Sequence, residues 1–274
     1  MRQIDRRPFV FALVLYLLGW LFGFPIGAQS APLEEVECTL ILDAASGETL
    51  YREGVCDQRF SPASTFKVPL ALIGYDSGIL SDEHTPAWDY KPAFKAVKRD
   101  QKTVDPTIWE KDSVLWFSQE ITRRLGSERF AGYVAKFDYG NTDVAGTAGR
   151  NDGLTRSWVN SSLEISPVEQ VNFMRRLLAG ELPVSAKAHA MTRAILPTFR
   201  SGGWTVQGKT GTTRLGESAD KRSLGWFVGW ANKDARNIVF ARLVIDTKRS
   251  DTPKGPQART TFLKELPNLV DKSK

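Results

Sequence analysis

The sequence SPASTFKVPLALI, residues 61–73, places a serine and a lysine three positions apart at the start of an apolar run. The run from Val68 to Ile73 predicts a buried helix. Positions three apart share one face of a helix, so we expect the Ser64 hydroxyl and the Lys67 amine to lie side by side. Near a helix start, unpaired backbone N–H groups favour a developing negative charge. The pattern indicates a nucleophilic serine with a neighbouring base, but an N-cap serine followed by a solvent-reaching lysine has the same spacing.

Three further short motifs follow along the chain. They are Ser113-Val114 at a predicted helix start, Tyr139-Gly140-Asn141 at a turn, and Lys209-Thr210-Gly211 just before a predicted strand hairpin. Each motif alone is typical of a helix cap or a turn. Four such motifs in this order are not an accidental match, and they favour a catalytic interpretation of the serine and lysine pair.

Strand patterns occur at both ends of the chain and helix patterns occur between them. The predicted strands are Cys38–Asp43, Thr49–Tyr51, Val206–Thr213, Leu224–Ala231 and Ile238–Asp246. The predicted helices are Val114–Leu125, Glu128–Phe137, Pro167–Leu178 and a closing helix at Ala258–Leu269. This order predicts an α/β fold of the α+β type, with a mainly antiparallel sheet that is built from both termini and flanked by helices. A single domain at 31–274 would then consist of an α/β lobe, about 31–75 and 200–274, and an inserted helical lobe, about 76–199.

Residues 1–30 have the pattern of a signal peptide. Arginines precede an apolar run from Phe9 to Phe24, which is shorter than the roughly 20 residues of a membrane span. Small residues follow, so we expect cleavage after Ser30 and a periplasmic mature protein. Two alternatives stay open: a twin-arginine signal at Arg6-Arg7 and an uncleaved N-terminal anchor.

Cys38 and Cys56 are the two cysteines of the chain. In an exported protein, an even pair predicts one disulfide in an oxidising compartment. The alternative is a pair of buried free thiols.

Composition excludes several classes of protein. With 42% hydrophobic and 25% charged residues, the chain is typical of globular proteins. The net charge is +6, and removal of residues 1–30, with three arginines and one aspartate, leaves +4. Because no basic run is interleaved with aromatics, we expect no nucleic-acid partner, although a small anionic substrate is mildly favoured. The two histidines, His84 and His189, are too few and too isolated for a zinc site or a Ser-His-Asp triad, so no metal is expected.

The four motifs resemble those of the penicilloyl serine transferases, the family of serine β-lactamases and penicillin-binding proteins. Tyr139-Gly140-Asn141 makes the chain similar to the class D, or oxacillinase, β-lactamases, because class A enzymes carry Ser-Asp-Asn in that region. Further stretches that look like class D are Trp158, Ser161–Pro167, Gly225–Trp230 and Ala258-Arg259-Thr260. The resemblance extends from about Cys38 to Leu269 and implies hydrolysis of penicillin-type antibiotics, with resistance as the outcome.

The resemblance also implies a role for each matched residue. Ser64 would form an acyl-enzyme, and the N–H groups of Ser64 and Thr212 would form the oxyanion hole. Lys67 would react with carbon dioxide to become N6-carboxylysine, a carbamate held by the Trp158 indole, although Trp158 is equally typical of core packing. Apart from carbon dioxide or bicarbonate as the source of that carbamate, no cofactor is implied.

The remaining roles concern the substrate. Ser113 would pass a proton to the leaving nitrogen with electrostatic help from Lys209. The implied substrate-binding residues are Tyr139, Asn141, Thr210, Gly211, Arg259 and Leu115. Leu115 departs from the family, which has valine two residues after the serine, and we expect its extra methylene to change the rate of the reaction. A sensor domain that binds the drug covalently without turnover and a peptidoglycan DD-peptidase are the alternatives, and the chain could be a monomer or a homodimer.

Overall fold

A computed structural model describes residues 36–216 and 221–271 of the chain. The signal peptide predicted at 1–30 lies outside these residues. Within the described ranges, no helix combines the length and the apolar character needed to cross a membrane.

A six-stranded sheet forms the centre of the described fold. Its strands are β1 Val36–Asp43, β2 Thr49–Gly54, β3 Thr198–Ser201, β4 Trp204–Leu215, β5 Arg222–Lys233 and β6 Arg236–Arg249. They lie in the order β2-β1-β6-β5-β4-β3, and each neighbouring pair is antiparallel. The hairpin from the N-terminal part therefore pairs with β6 from the C-terminal part, which confirms the predicted fold class.

Helices cover both faces of the sheet. They are α1 Lys67–Asp76, α2 Pro106–Asp112, α3 Leu115–Leu125, α4 Ser127–Phe137, α5 Gly153–Arg156, α6 Pro167–Ala179, α7 Ala186–Ile195 and α8 Lys254–Asp271. The last helix packs on β4, β5 and β6, and its Phe262 stacks against Phe240 of β6 with ring centroids 4.2 Å apart. Because α6 packs against β1, β5 and β6, the central strand β5 is buried along most of its length, as is typical of a strand covered on both faces.

The sequence patterns did not predict three of the helices, α2, α5 and α7, or the strand β3. The helix α2 has only seven residues, too few to show a helical period, and it begins at the N-cap Asp105, whose carboxylate accepts a hydrogen bond from the Ile108 N–H at 2.7 Å. The sequence of α7 is rich in alanine and has few large apolar residues. Strand β3 has four residues and depends on its pairing with β4.

A disulfide joins Cys38 of β1 to Cys56, with the two Cα atoms 5.2 Å apart. The predicted disulfide is thereby confirmed, and the alternative of two free thiols is excluded. The bond ties the sheet to the segment that leads directly to Ser64.

Candidate active site

Ser64 lies on a 3₁₀ turn at Ala63–Phe66 that leads into α1. The preceding Ala63 has a φ of 50°, a left-handed conformation that is costly for a residue with a Cβ and is concentrated at functional sites. The Thr65 N–H and hydroxyl both donate to the Pro62 carbonyl, at 3.1 and 2.7 Å. The nucleophile candidate is therefore presented on a sharply bent, internally bonded turn.

Ser61 fastens this turn to two distant segments. Its hydroxyl donates to the Trp158 carbonyl at 3.0 Å and accepts from the Asn160 N–H at 2.9 Å. Its carbonyl accepts from the indole N–H of Trp226 on β5 at 3.0 Å. Trp226, from the stretch Gly225–Trp230, therefore supports the turn that carries Ser64.

Lys67 is the first residue of α1 and is only 1% exposed. Its Nζ lies 3.5 Å from Ser64 Oγ, so the two side chains are neighbours as the spacing predicts. Phe66 stacks on Trp158 with ring centroids 5.3 Å apart, in the apolar packing around the turn. Burial, together with repulsion from Lys209, lowers the pKa of the Lys67 amine to about 7. A substantial fraction of the amine is therefore neutral at neutral pH and able to accept a proton.

Ser113 and Lys209 form a second pair across the site. Ser113 terminates α2 with a φ of 60° and accepts a hydrogen bond from Lys209 Nζ at 2.9 Å. The same Nζ donates to the Thr210 carbonyl at 3.2 Å. Burial lowers the pKa of Lys209 to about 8. This pair joins residues that lie 96 positions apart in the chain.

Gly211 allows β4 to approach the serine turn. A Cβ at this position would lie 2.9 Å from the Pro62 carbonyl oxygen and 3.1 Å from the Thr65 methyl group. The next residue, Thr212, is exposed on β4, and its Oγ1 accepts from the Gly255 N–H at 2.9 Å. The oxyanion role of the Thr212 N–H stays a prediction.

A cavity of about 470 Å³ opens beside Lys209 and Thr210 and is also lined by Arg259 of α8. The Arg259 guanidinium lies over the Phe199 ring, 4.9 Å from its centroid. The cavity is lined by acidic as well as basic residues, since Glu110, Lys111 and Asp112 also border it. Within it, Lys209, Thr210 and Arg259 are the residues suited to a carboxylate.

Tyr139 and Asn141 lie behind the nucleophile. Tyr139 is buried, with its ring against Phe66, and its hydroxyl donates to Gln170 Oε1 at 3.4 Å. The Gln170 amide in turn donates to Thr65 Oγ1 at 2.8 Å. Because these contacts support the serine turn from the core side, the predicted contact of Tyr139 with substrate stays a prediction.

Asn141 uses its side-chain amide to hold the loop after Tyr139. Its Nδ2 donates to the Ser162 carbonyl at 2.8 Å, and its Oδ1 accepts from the Glu164 N–H at 3.0 Å. Gly140, which lies between Tyr139 and Asn141 in the chain, has a φ of 60°, and a Cβ at this position would overlap the Glu164 carbonyl oxygen. The motif therefore shapes a turn, and substrate contact by Asn141 likewise stays a prediction.

Leu115 begins α3, two residues after Ser113, and is half-buried against the core. The sequence analysis missed one further residue of the site, Glu110 of α2. This glutamate is fully buried and lines the same cavity as Lys209 and Arg259. The sequence offered one indication that Glu110 belongs to the site, because Glu110 lies three residues before Ser113 and next to the apolar Trp109.

Comparison with known proteins identifies the family. The model of the penicillin binding protein transpeptidase domain matches residues 37–267. The β-lactamase OXA-9 of Klebsiella pneumoniae is 47% identical over 267 residues, which cover 94% of this chain and 97% of that protein. The β-lactamase OXA-1 of Escherichia coli is 32% identical and covers 89% of each chain.

The solved structures agree with these relatives. The crystal structure of the class D β-lactamase OXA-427 matches with a TM-score of 0.80 and 40% identity, over 87% of this chain and all of that one. The chain is thus similar to class D enzymes in sequence and in fold along nearly its whole length. With these similarities, the protein belongs to the class D serine β-lactamases.

Proposed function

We propose that this enzyme hydrolyses penicillin-type β-lactams through an ester at Ser64, with the Lys67 side chain as the base for both halves of the reaction. The observation that carries the proposal is the buried Lys67 amine, 3.5 Å from Ser64 Oγ and with a pKa lowered to about 7. A lysine with the ordinary pKa near 10.4 would be protonated at neutral pH and could not serve as a base.

In the first half, Lys67 takes the proton from Ser64 as Oγ attacks the lactam carbonyl carbon. The ring C–N bond then breaks, and Ser113 donates its hydroxyl proton to the leaving nitrogen. Lys209, which donates to Ser113 Oγ at 2.9 Å, stabilises the oxygen that has lost its proton and can restore that proton. The backbone N–H groups of Ser64 and Thr212 stabilise the oxyanion that forms at the carbonyl.

Before the second half, the proton that Lys67 took from Ser64 passes to Lys209, which has given its own proton to Ser113. Water then attacks the Ser64 ester, and Lys67 accepts a proton of that water and gives it to the Ser64 oxygen as the ester C–O bond breaks. Throughout, Thr210 and Arg259 bind the substrate carboxylate beside Lys209, in the cavity that all three line. Arginine suits this role because its planar guanidinium can grip a carboxylate with two hydrogen bonds.

Lys67 is further proposed to carry a carbamate formed with carbon dioxide. What supports this is the neutral fraction of the amine and the apolar packing of Phe66 and Trp158 beside it. The carbamate would supply an anionic base next to Ser64, with the Trp158 indole N–H as its donor. We also propose that the protein acts in the periplasm, as a monomer or homodimer, on small-molecule antibiotics.

Turnover of a penicillin, measured with and without bicarbonate, tests the proposal. We expect many turnovers per enzyme, activity that falls as the pH drops below about 7, and partial recovery with bicarbonate. The ¹³C spectrum with labelled bicarbonate should show a carbamate signal that Lys67→Ala abolishes. A stoichiometric burst that stops would indicate a sensor domain, and cleavage of D-Ala-D-Ala peptides without penicillin turnover would indicate a DD-peptidase. Steady turnover without a bicarbonate effect or a carbamate signal would leave a plain lysine as the base.

A further inference from the structure

Glu110 is a buried carboxyl group that the reaction above does not use. It lies on α2, three residues before Ser113, with 0% of its surface exposed. Among the described residues, neither of its carboxyl oxygens has a hydrogen-bond partner. A buried carboxylate without hydrogen bonds is costly unless nearby cations compensate its charge. The environment of Glu110 should therefore contain such cations.

Two buried lysines are the cations that interact with Glu110. Lys67 and Lys209 are 1% and 2% exposed, and attraction to Glu110 raises the pKa of each, against the larger effect of burial. Lys209 and Glu110 also line the same cavity. Two lysine cations beside one carboxylate leave an uncompensated buried charge, whereas one cation beside one carboxylate leaves none.

The hydrogen bonds indicate which lysine holds the proton. Lys209 Nζ donates to Ser113 Oγ at 2.9 Å and to the Thr210 carbonyl at 3.2 Å. Lys67 Nζ has one long contact, 3.5 Å to Ser64 Oγ. Since hydrogen bonds to the charged form favour that form, Lys209 is the better cation of the two.

We propose that Glu110 is a positioning residue that compensates the charge of Lys209, so that Lys209 keeps its proton beside Ser113 and the charge of Lys209 in turn favours the neutral form of the Lys67 amine beside Ser64. The proposal rests on the proposed roles of these two lysines. It explains how one buried site can hold an acid and a base of the same residue type at the same pH.

Other charged and titratable groups around this cluster come from several elements. They are Tyr75 of α1, Arg99 and Asp100 of the preceding loop, Asp105 at the start of α2, and Arg259 of α8. On α7, which packs against α2, His189 and Arg193 are bonded to backbone carbonyls of other segments. Arg99 is paired with Asp100 at 2.7 Å, and Arg259 lies over Phe199, so Glu110 is the buried carboxyl that both lysines share.

The charge of Glu110 itself depends on pH. Burial raises the pKa of its carboxyl to about 7, and both lysines oppose that rise. Above about pH 7 the carboxylate form prevails, and Lys209, with a pKa of about 8, is still largely protonated. The state in which Glu110 is ionised and Lys209 is protonated should therefore be most populated between about pH 7 and 8.

The test is Glu110→Gln, which removes the charge and keeps the shape. Because the carboxylate raises the pKa of both lysines, its loss should move both limbs of the pH profile of kcat/KM to lower pH, by about one unit. Glu110→Asp keeps the charge and should move the profile less. Glu120→Gln is the matched control, since Glu120 is half-buried on α3 and pairs with Arg124 at 3.2 Å, and it should not move the profile.

Lysine titration by NMR with ¹³C at Cε provides a readout that does not need turnover. In buffer free of carbon dioxide and bicarbonate, where Lys67 is an amine, Lys67→Ala and Lys209→Ala assign the two signals, and Lys209 should titrate at the higher pH in the wild-type protein. A lowered kcat in Glu110→Gln with both limbs and both lysine pKa values unchanged would overturn the proposal, because it would indicate a merely structural role. If Glu110→Gln does not fold, the wild-type protein still provides a test. A pKa of Lys67 above that of Lys209 would overturn the proposal equally. Failure of penicillin turnover with the expected lysine titrations would instead refute the proposed function.

Discussion

Ser61→Ala is the substitution that most directly tests how the serine turn is held. The change removes one oxygen that donates to the Trp158 carbonyl at 3.0 Å and accepts from the Asn160 N–H at 2.9 Å. Ser61 is buried, so water cannot readily replace its hydroxyl. The substitution therefore leaves two backbone groups without their partner and separates the Ser64 turn from the Trp158 loop.

The magnitude follows from those two groups. A buried polar group left without its partner costs about 1–3 kcal/mol, so two such groups predict a loss of about 2–6 kcal/mol in the free energy of unfolding. For a domain of this size, 1 kcal/mol corresponds to about 2–4 °C in Tm, so a fall of roughly 4–24 °C is expected. We also expect kcat to fall, because Trp158 packs on Phe66 next to Lys67.

Urea denaturation and thermal melting of the two proteins measure the loss. The control is Ser77→Ala, because Ser77 is half-buried and its hydroxyl makes a single local bond to the Gly74 carbonyl at 3.2 Å. That control should lose less than about 1 kcal/mol. If Ser61→Ala were no more destabilised than Ser77→Ala, the turn would not depend on Ser61 and the reasoning would be wrong.

Two further predictions concern single positions near the site. Leu115→Val removes one methylene two residues after Ser113 and should raise the rate of carbamate formation or of deacylation by on the order of tenfold, as pre-steady-state kinetics would detect; unchanged acylation and deacylation would contradict this. Gly140→Ala should lose at least about 2 kcal/mol of stability in a denaturant titration, because φ is 60° and a Cβ would overlap the Glu164 carbonyl. The control Gly132→Ala, on α4 with no atom within 4 Å of the new Cβ, should instead gain about 0.5–1 kcal/mol; equal effects of the two alanines would refute the steric argument.

The sequence alone determined those features that depend on local pattern. Runs of β-branched and aromatic residues predict β5 and β6, with the segment of β4 leading into them, and three- and four-residue spacing predicts α3, α4 and α6. Each of these patterns reflects the geometry of a single element. The spacing of Ser64 and Lys67 likewise predicts that they are neighbours, since both lie within one helical turn. The order of the four motifs was sufficient to indicate the family.

Only the tertiary structure decided which distant groups meet and how deeply they are buried. Ser113 and Lys209 lie 96 residues apart, and their hydrogen bond forms only when the fold brings the end of α2 close to β4. Glu110 lies on a helix too short to show a period, so neither its burial nor its proximity to the two lysines could be read from spacing. Tyr139, predicted to contact substrate, packs in the core behind Ser64. The physical reason is that the ionisation of a lysine or glutamate depends on desolvation and on charges contributed by other segments, and these exist only once the chain has folded.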